Sequence, residues 1–190
     1  MKAILAILCV IWLVVGASAQ DFAVDKKACI FDGSISFSSS GGDLYEDADG
    51  NTQTDFSEAG TFNYFVAKNI FVGAGLGIQS FGWGDYSSSA VVIGPQVGYA
   101  FGKKESKVFP YGAVGFRYLS SSADDGVNKL TITGTDISLE VGVIIPVKEH
   151  IGVTPLLSYH AQSEKSDAPA AESISGSIIM FGVGISGLLY

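Results

Sequence analysis

Basic residues are scarce. Lys and Arg total 11 against 19 Asp and Glu, for a net charge of −8, and this balance excludes the basic footprint of a nucleic-acid-binding protein. Cysteine is scarcer still. Cys9 lies inside an N-terminal apolar run and Cys29 is the only other one, so once that run is removed no intramolecular disulfide can form, and Cys29 reads as a small apolar residue at a strand start. Charge of both signs together makes up only 16% of the chain, and mean hydropathy is +0.35. Yet no segment has the ~18 or more consecutive apolar residues of a membrane-spanning helix. An oily chain without such a helix points to a membrane crossed by strands.

The N-terminus predicts export. Lys2 is a short basic region, Ala3 to Val15 an apolar one, and Ala17-Ser18-Ala19 a small-residue cleavage site, so residues 1–19 read as a signal peptide cleaved before Gln20. Cys9 follows Leu8 within the apolar region, which excludes a lipoprotein site. Residues 20–28 read as a short polar leader and residues 29–190 as one domain.

What the chain has in quantity is glycine, 24 residues, and aromatics, 12%, arranged with period two. From Ile70 to Ile78 every even residue is aliphatic or Ala, and the odd ones after Phe71 are all Gly. Val91, Ile93, Pro95, Val97, Tyr99 and Phe101 alternate in the same way with Val92, Gly94, Gln96, Gly98 and Ala100. A soluble strand shows charge on its non-core face, whereas here that face is pared down to Gly, Ala and Gln. Such a face suits a narrow, crowded lumen, with the bulky set against lipid. The Gly73-x-Gly75-x-Gly77 row keeps period two and no helix follows, so it is not a dinucleotide loop.

The same plan recurs along the chain. Strand one places Phe31, Gly33, Ile35 and Phe37 outward and Asp32, Ser34, Ser36 and Ser38 inward; strand two has Phe62, Tyr64 and Val66 outward and Thr61, Asn63 and Phe65 inward. Strand five sets Val114, Phe116 and Tyr118 against Tyr111, Ala113, Gly115 and Arg117, and strand six sets Ile137, Leu139 and Val141 against Ser138, Glu140 and Gly142. Strand seven shows Ile151, Val153, Pro155, Leu157 and Tyr159 outward and Thr154, Ser158 and His160 inward. Strand eight shows Ile179, Phe181, Val183 and Ile185 outward and Gly182, Gly184 and Ser186 inward.

Longer loops are expected at Asp43 to Gln53, Ser80 to Ser89, Ser120 to Leu130 and Gln162 to Ser173, alternating with short turns at Ala67 to Asn69, Lys103 to Lys107 and Lys148 to His150. Eight antiparallel strands then form an all-β up-and-down transmembrane barrel, with termini and short turns periplasmic and the longer loops extracellular. Closure is forced, because unpaired backbone groups in hydrocarbon cost several kcal/mol each. Pro110 and Pro146 fall at strand ends; Pro95 and Pro155 fall mid-strand and predict bulges. Phe62, Tyr64, Trp83, Tyr99, Phe101, Tyr118 and Tyr159 are the interfacial aromatics. Asp47-Ala48-Asp49-Gly50-Asn51 has its glycine at the wrong offset for an EF-hand and reads as a solvated acidic turn.

The run from Phe62 to Gly73, FNYFVAKNIFVG, resembles the aromatic-turn-Asn-apolar-Gly signature of small outer-membrane β-barrels of the OmpX, OmpW and OmpA-barrel type, and Pro110 to Phe116, PYGAVGF, resembles the matching strand-five motif. The resemblance spans Phe31 to Tyr190. It implies a location in the outer membrane of a Gram-negative bacterium, outer-membrane lipid as the surroundings and the barrel-assembly machinery as a partner in biogenesis. The family's terminal aromatic is present as Tyr190, but out of phase with Phe181, Val183, Ile185 and Leu189; a bulge near Gly187 would restore the phase.

Arg117, Asp136, Glu140 and His160 share inward parity, and Arg117, Asp136 and His160 lie at similar height counted from the short turns. They read as a charge-compensated plug. The function expected is that of a surface-exposed structural or interaction barrel, a monomer, without enzymatic activity, cofactor, metal or nucleic-acid partner. The alternatives are a narrow channel for small or apolar solutes, a soluble lipocalin-type barrel with the bulky face inward, and a lipid hydrolase built on Ser158 and His160, for which the sequence fixes no third carboxylate.

Overall fold

Alternation of bulky and small residues leaves each segment with one face that must meet something apolar and one that can be crowded, and strands closed upon themselves satisfy both. The computed structural model describes residues 24–41, 54–83, 86–103, 105–124, 129–167 and 172–190. Eight strands follow in order: β1 (Cys29–Gly41), β2 (Thr54–Ala67), β3 (Ile70–Trp83), β4 (Tyr86–Ala100), β5 (Phe109–Asp124), β6 (Lys129–Lys148), β7 (Ile151–Ser166) and β8 (Ile174–Leu189). Each pairs antiparallel with its neighbours in sequence, and β1 closes on β8 from Cys29↔Leu189 to Gly41↔Ser177. No sheet edge is left open.

Sidedness follows the parity. Phe31, Ile35, Leu76, Ile93, Val114, Phe116, Leu139 and Phe181 face outward and are exposed, as is Ile185 at 69%. An apolar exterior on this scale belongs in lipid, since monomeric soluble proteins expose patches of only a few hundred Å². The lipocalin arrangement, which needs this set inside, is therefore overturned.

Two expectations are corrected and one open point is answered. First, the strands run beyond the apolar segment: β3 and β4 stay paired up to Trp83↔Tyr86, β5 and β6 up to Asp124↔Lys129, and β7 reaches Ser166. Ladder hydrogen bonds need no apolar face, so pairing continues where the hydrophobic period has stopped. The expected Asp43 to Gln53 loop, with Asp47 to Asn51, lies outside the described residues, as do residues 1–19, expected to be a signal peptide, and residues 20–23.

Second, neither mid-strand proline makes a bulge. Around Pro95 the β4–β5 ladder skips from Ile93↔Tyr118 to Gln96↔Gly115 without changing register, while Ala74↔Pro95 stays in step on the other side. Around Pro155 the β6–β7 ladder likewise skips from Gly142↔Leu156 to Ile145↔Val153. Losing one N–H interrupts one ladder, and the uninterrupted one holds the strand. Register shifts occur instead beside two short turns, between Phe65 and Ala67 and between Pro146 and Lys148. Both turns carry a non-glycine residue with positive φ, Asn69 at 68° and His150 at 65°.

The open point is the phase of the C-terminus: β8 has no bulge near Gly187 to restore it. Its pairing with β1 is continuous, so Leu188 points inward and is fully buried, Leu189 points outward, and Tyr190 stands beyond the strand with its ring centroid 5.3 Å from that of His150.

The end bearing the short turns and the termini, hereafter the turn end, holds an apolar stopper. Val24, Ala28, Ile30, Phe65, Phe71, Ala100, Phe109, Ile144 and Leu188 pack together inside the barrel. Residues 24–28 are thus more than a polar leader. Lys27 N donates to Phe65 O at 2.8 Å, Phe65 N to Ala28 O at 2.9 Å and Asn69 N to Val24 O at 2.8 Å, so the segment is tied across the mouth with Val24 and Ala28 directed inward.

Candidate functional site in the barrel lumen

Above the stopper the lumen turns polar. Backbone pairing sets Arg117 of β5 opposite Asp136 of β6, and Asp136 opposite Gln162 of β7; Ser138 faces His160, and Glu140 faces Ser158. Because inward residues recur every second position, these side chains converge on one patch of wall.

Asp136 is the centre of that patch and has no solvent exposure. Its Oδ2 accepts from His160 Nδ1 at 2.9 Å and from Gln162 Nε2 at 3.0 Å. In the neutral tautomer that donates Nδ1–H to the carboxylate, Nε2 of His160 accepts from Ser158 Oγ, 3.0 Å away. A hydroxyl, an imidazole and a carboxylate in this order form the relay of acyl-transfer enzymes, and the third carboxylate missing from the sequence reading is Asp136. The relay has nowhere to put a substrate. The cavity beside it, lined by Asp32, Tyr111, Arg117, Glu140, Ser158 and His160 among others, measures about 40 Å³, room for roughly two or three waters.

Arg117 is brought beside Asp136 by strand pairing, yet it forms no ion pair within 4.0 Å among the described residues, and its buried Nε has no hydrogen-bond partner. Glycines border it. A Cβ added at Gly75 would lie 3.7 Å from the guanidinium carbon, and one at Gly115 3.6 Å from Nε.

Glu140 is not part of the Asp136 group; it accepts from Tyr111 OH at 2.7 Å. Asp32, which the sequence placed inward but outside the polar cluster, accepts from three hydroxyls: Ser186, Thr154 at 3.3 Å and Thr61 at 3.5 Å. Gln96 Nε2 donates to Asn63 Oδ1 at 2.7 Å, extending the network round the wall. Asp32 was signalled by its inward parity. Gln162 was not, because the apolar period had already ended and the segment read as loop.

On the outside, Tyr64, Tyr99 and Phe101 lie near the turn end, and Tyr118 and Tyr159 lie eight or nine residues up their strands, all exposed. Phe62 sits two residues further along β2 from the turn end than Tyr64, its ring centroid 4.8 Å from that of Phe31. The side chain of Trp83 lies outside the described residues.

A closed antiparallel barrel of eight strands, apolar outside and filled inside, defines a transmembrane β-barrel. The chain belongs to the family described as outer membrane protein beta-barrel domain, whose model matches residues 7–186; members of this family reside in the outer membrane of Gram-negative bacteria. No curated protein sequence matches the chain. Among solved structures it is similar to Neisserial surface protein A (NspA), at 14% identity and a TM-score of 0.61 over 84% of this chain and 99% of that one. It is similar to the outer membrane protein OprG from Pseudomonas aeruginosa, at 14% identity and 0.58 over 88% and 98%. It is also similar to Ail, the attachment invasion locus protein of Yersinia pestis, at 11% identity and 0.53 over 85% and 99%.

Proposed function

We propose that the protein is a non-conducting membrane anchor whose connections between strands, at the end opposite the short turns, contact other molecules at the cell surface. The observation that carries this reading is the stopper: Phe65, Phe109 and Leu188 have no exposure at all, and residues 24–28 lie across the same mouth. An ion would have to displace this packing and then cross the hydrogen-bonded layer round Asp32 and Asp136. In this reading the barrel is exported by a cleaved signal peptide over residues 1–19, is inserted by the assembly machinery, works as a monomer among outer-membrane lipids, catalyses no reaction and has no nucleic-acid partner. Its termini and short turns are periplasmic. The interaction role parallels the attachment function that names Ail, although a likeness of 11% identity supports the fold alone.

Planar-bilayer recording of the refolded protein tests the proposal. Silence is the expected result. A defined single-channel level that shifts in Arg117→Gln or Glu140→Gln would assign the lumen to a narrow solute channel instead.

A further inference from the structure

The basic residues of the barrel are sorted to one end. Lys26, Lys27, Lys68, Lys103, Lys107 and Lys148 are exposed at the turn end. The four connections at the other end, residues 42–53, 84–85, 125–128 and 167–173, each carry at least one carboxylate (Asp43, Asp85, Asp125 and Asp167 among them) and no Lys or Arg. Lys129 and Lys165 are the only basic residues toward that end.

Two of the turn-end lysines are held side by side. Asn69 takes a left-handed conformation, accepts from Ala100 N at 2.8 Å, and donates its side-chain amide to the carbonyls of Ala100 and of Gly102, the latter at 3.3 Å. This clamps the Lys68–Asn69 turn against the segment that leads into Lys103. That segment is itself closed by Lys103 N donating to Ser106 Oγ and Ser106 N donating to Lys103 O, both at 2.9 Å. Between the two turns lies an open cleft of about 450 Å³ lined by Lys68, Asn69, Tyr99, Phe101, Lys103 and Ser106. Its outer wall is Tyr99 and Phe101, whose ring centroids are 4.8 Å apart and which face the lipid.

We propose that this cleft binds the headgroup of an anionic phospholipid from the leaflet at the turn end. Lysine ammonium groups attract the phosphate, Ser106 and the turn amides supply polar contacts for the glycerol, and the two rings carry the upper acyl chain at the depth where aromatic side chains settle. The one carboxylate on the Lys103–Lys107 turn, Glu105, is exposed and outnumbered. The proposal rests on the membrane span and not on the closed lumen, so a conducting barrel would leave it standing.

The test places the refolded full chain in phosphatidylcholine nanodiscs containing a minority of phosphatidylglycerol and counts co-released lipids by native mass spectrometry. Wild type is expected to retain phosphatidylglycerol selectively. Near a membrane surface each lysine is worth roughly a fivefold preference, so Lys68→Gln/Lys103→Gln should reduce the enrichment on the order of 20-fold, while Lys165→Gln at the far end leaves it unchanged. Selectivity that survives in the double variant, or that falls equally in K165Q, overturns the proposal. So does equal retention of phosphatidylcholine by wild type. Unchanged heat-modifiable gel migration shows that each variant is folded, and all the substituted side chains are exposed.

Discussion

Asp136 is the residue on which the lumen's polar order is most sharply tested. Replacing it with Ala removes the acceptor from two buried donors, His160 Nδ1 at 2.9 Å and Gln162 Nε2 at 3.0 Å. It also withdraws the carboxylate paired across strands with Arg117. An orphaned buried donor costs about 1–3 kcal/mol, so two cost about 2–6 kcal/mol together. The structure offers little relief, because Asp136 and its two partners are all buried and the adjoining cavity is only about 40 Å³. Asp136→Ala is therefore expected to lose about 3–5 kcal/mol. Asp136→Asn keeps one acceptor for two donors and should lose roughly half of that. Guanidinium unfolding of the barrel in lipid vesicles, followed by heat-modifiable migration, measures both. His160→Ala closes a double-mutant cycle, and the double variant should cost about 1–3 kcal/mol less than the two single costs added. An Asp136→Ala barrel within ~0.5 kcal/mol of wild type, or a strictly additive cycle, would refute the idea that these groups stabilise the wall together.

Three further outcomes follow from the packing. Gly94→Val should abolish or severely slow assembly, since a Cβ there overlaps the Phe116 carbonyl oxygen and comes within 2.6 Å of Arg117 Cα; recovery of folded barrel by gel migration at the wild-type rate would contradict it. Val24→Asp puts a charge into the stopper and should cost about 2–4 kcal/mol of unfolding free energy in the same denaturant assay, whereas a leader lying free of the barrel would tolerate it. Asn69→Gly keeps the left-handed turn but loses the two side-chain bonds to Ala100 and Gly102. It should destabilise by about 1–2 kcal/mol, and Asn69→Ala by more because of the backbone, as read by the same unfolding assay.

The wall of this barrel was legible because period two is a rule of strand geometry: Ile93 and Leu139 had to face one way if Gln96 and Glu140 faced the other. The length of the strands was not legible. Beyond Gln79 the alternation of aliphatic and small residues breaks off, and the ladder that carries on to Trp83 is written in backbone atoms, which every residue supplies. Nor could Pro95 and Pro155 announce whether their missing N–H would be absorbed by a bulge or by a skipped pair, since that depends on the neighbouring ladder. Within the lumen, parity put Arg117, Asp136, Glu140 and His160 inside, but which of them touch is decided by stagger between strands. His160 thus meets Asp136, two positions from its cross-strand partner Ser138, and Glu140 turns to Tyr111. Val24 and Ala28 were missed because five residues among lysines and an aspartate carry no period at all.

The stopper draws on both extremities of the domain, Val24 from before the first strand and Leu188 from the last. Their neighbours Cys29 and Leu189 are hydrogen-bonded partners some 160 residues apart. Contacts at such separation form late, after the hairpins between successive strands. A nascent barrel with seven strands in place can already hold residues 24–28 against β2, but it lacks the β1–β8 seam and Leu188, and the arrival of β8 supplies these two together. Closing the seam and setting the last side chain of the stopper are on this account one event.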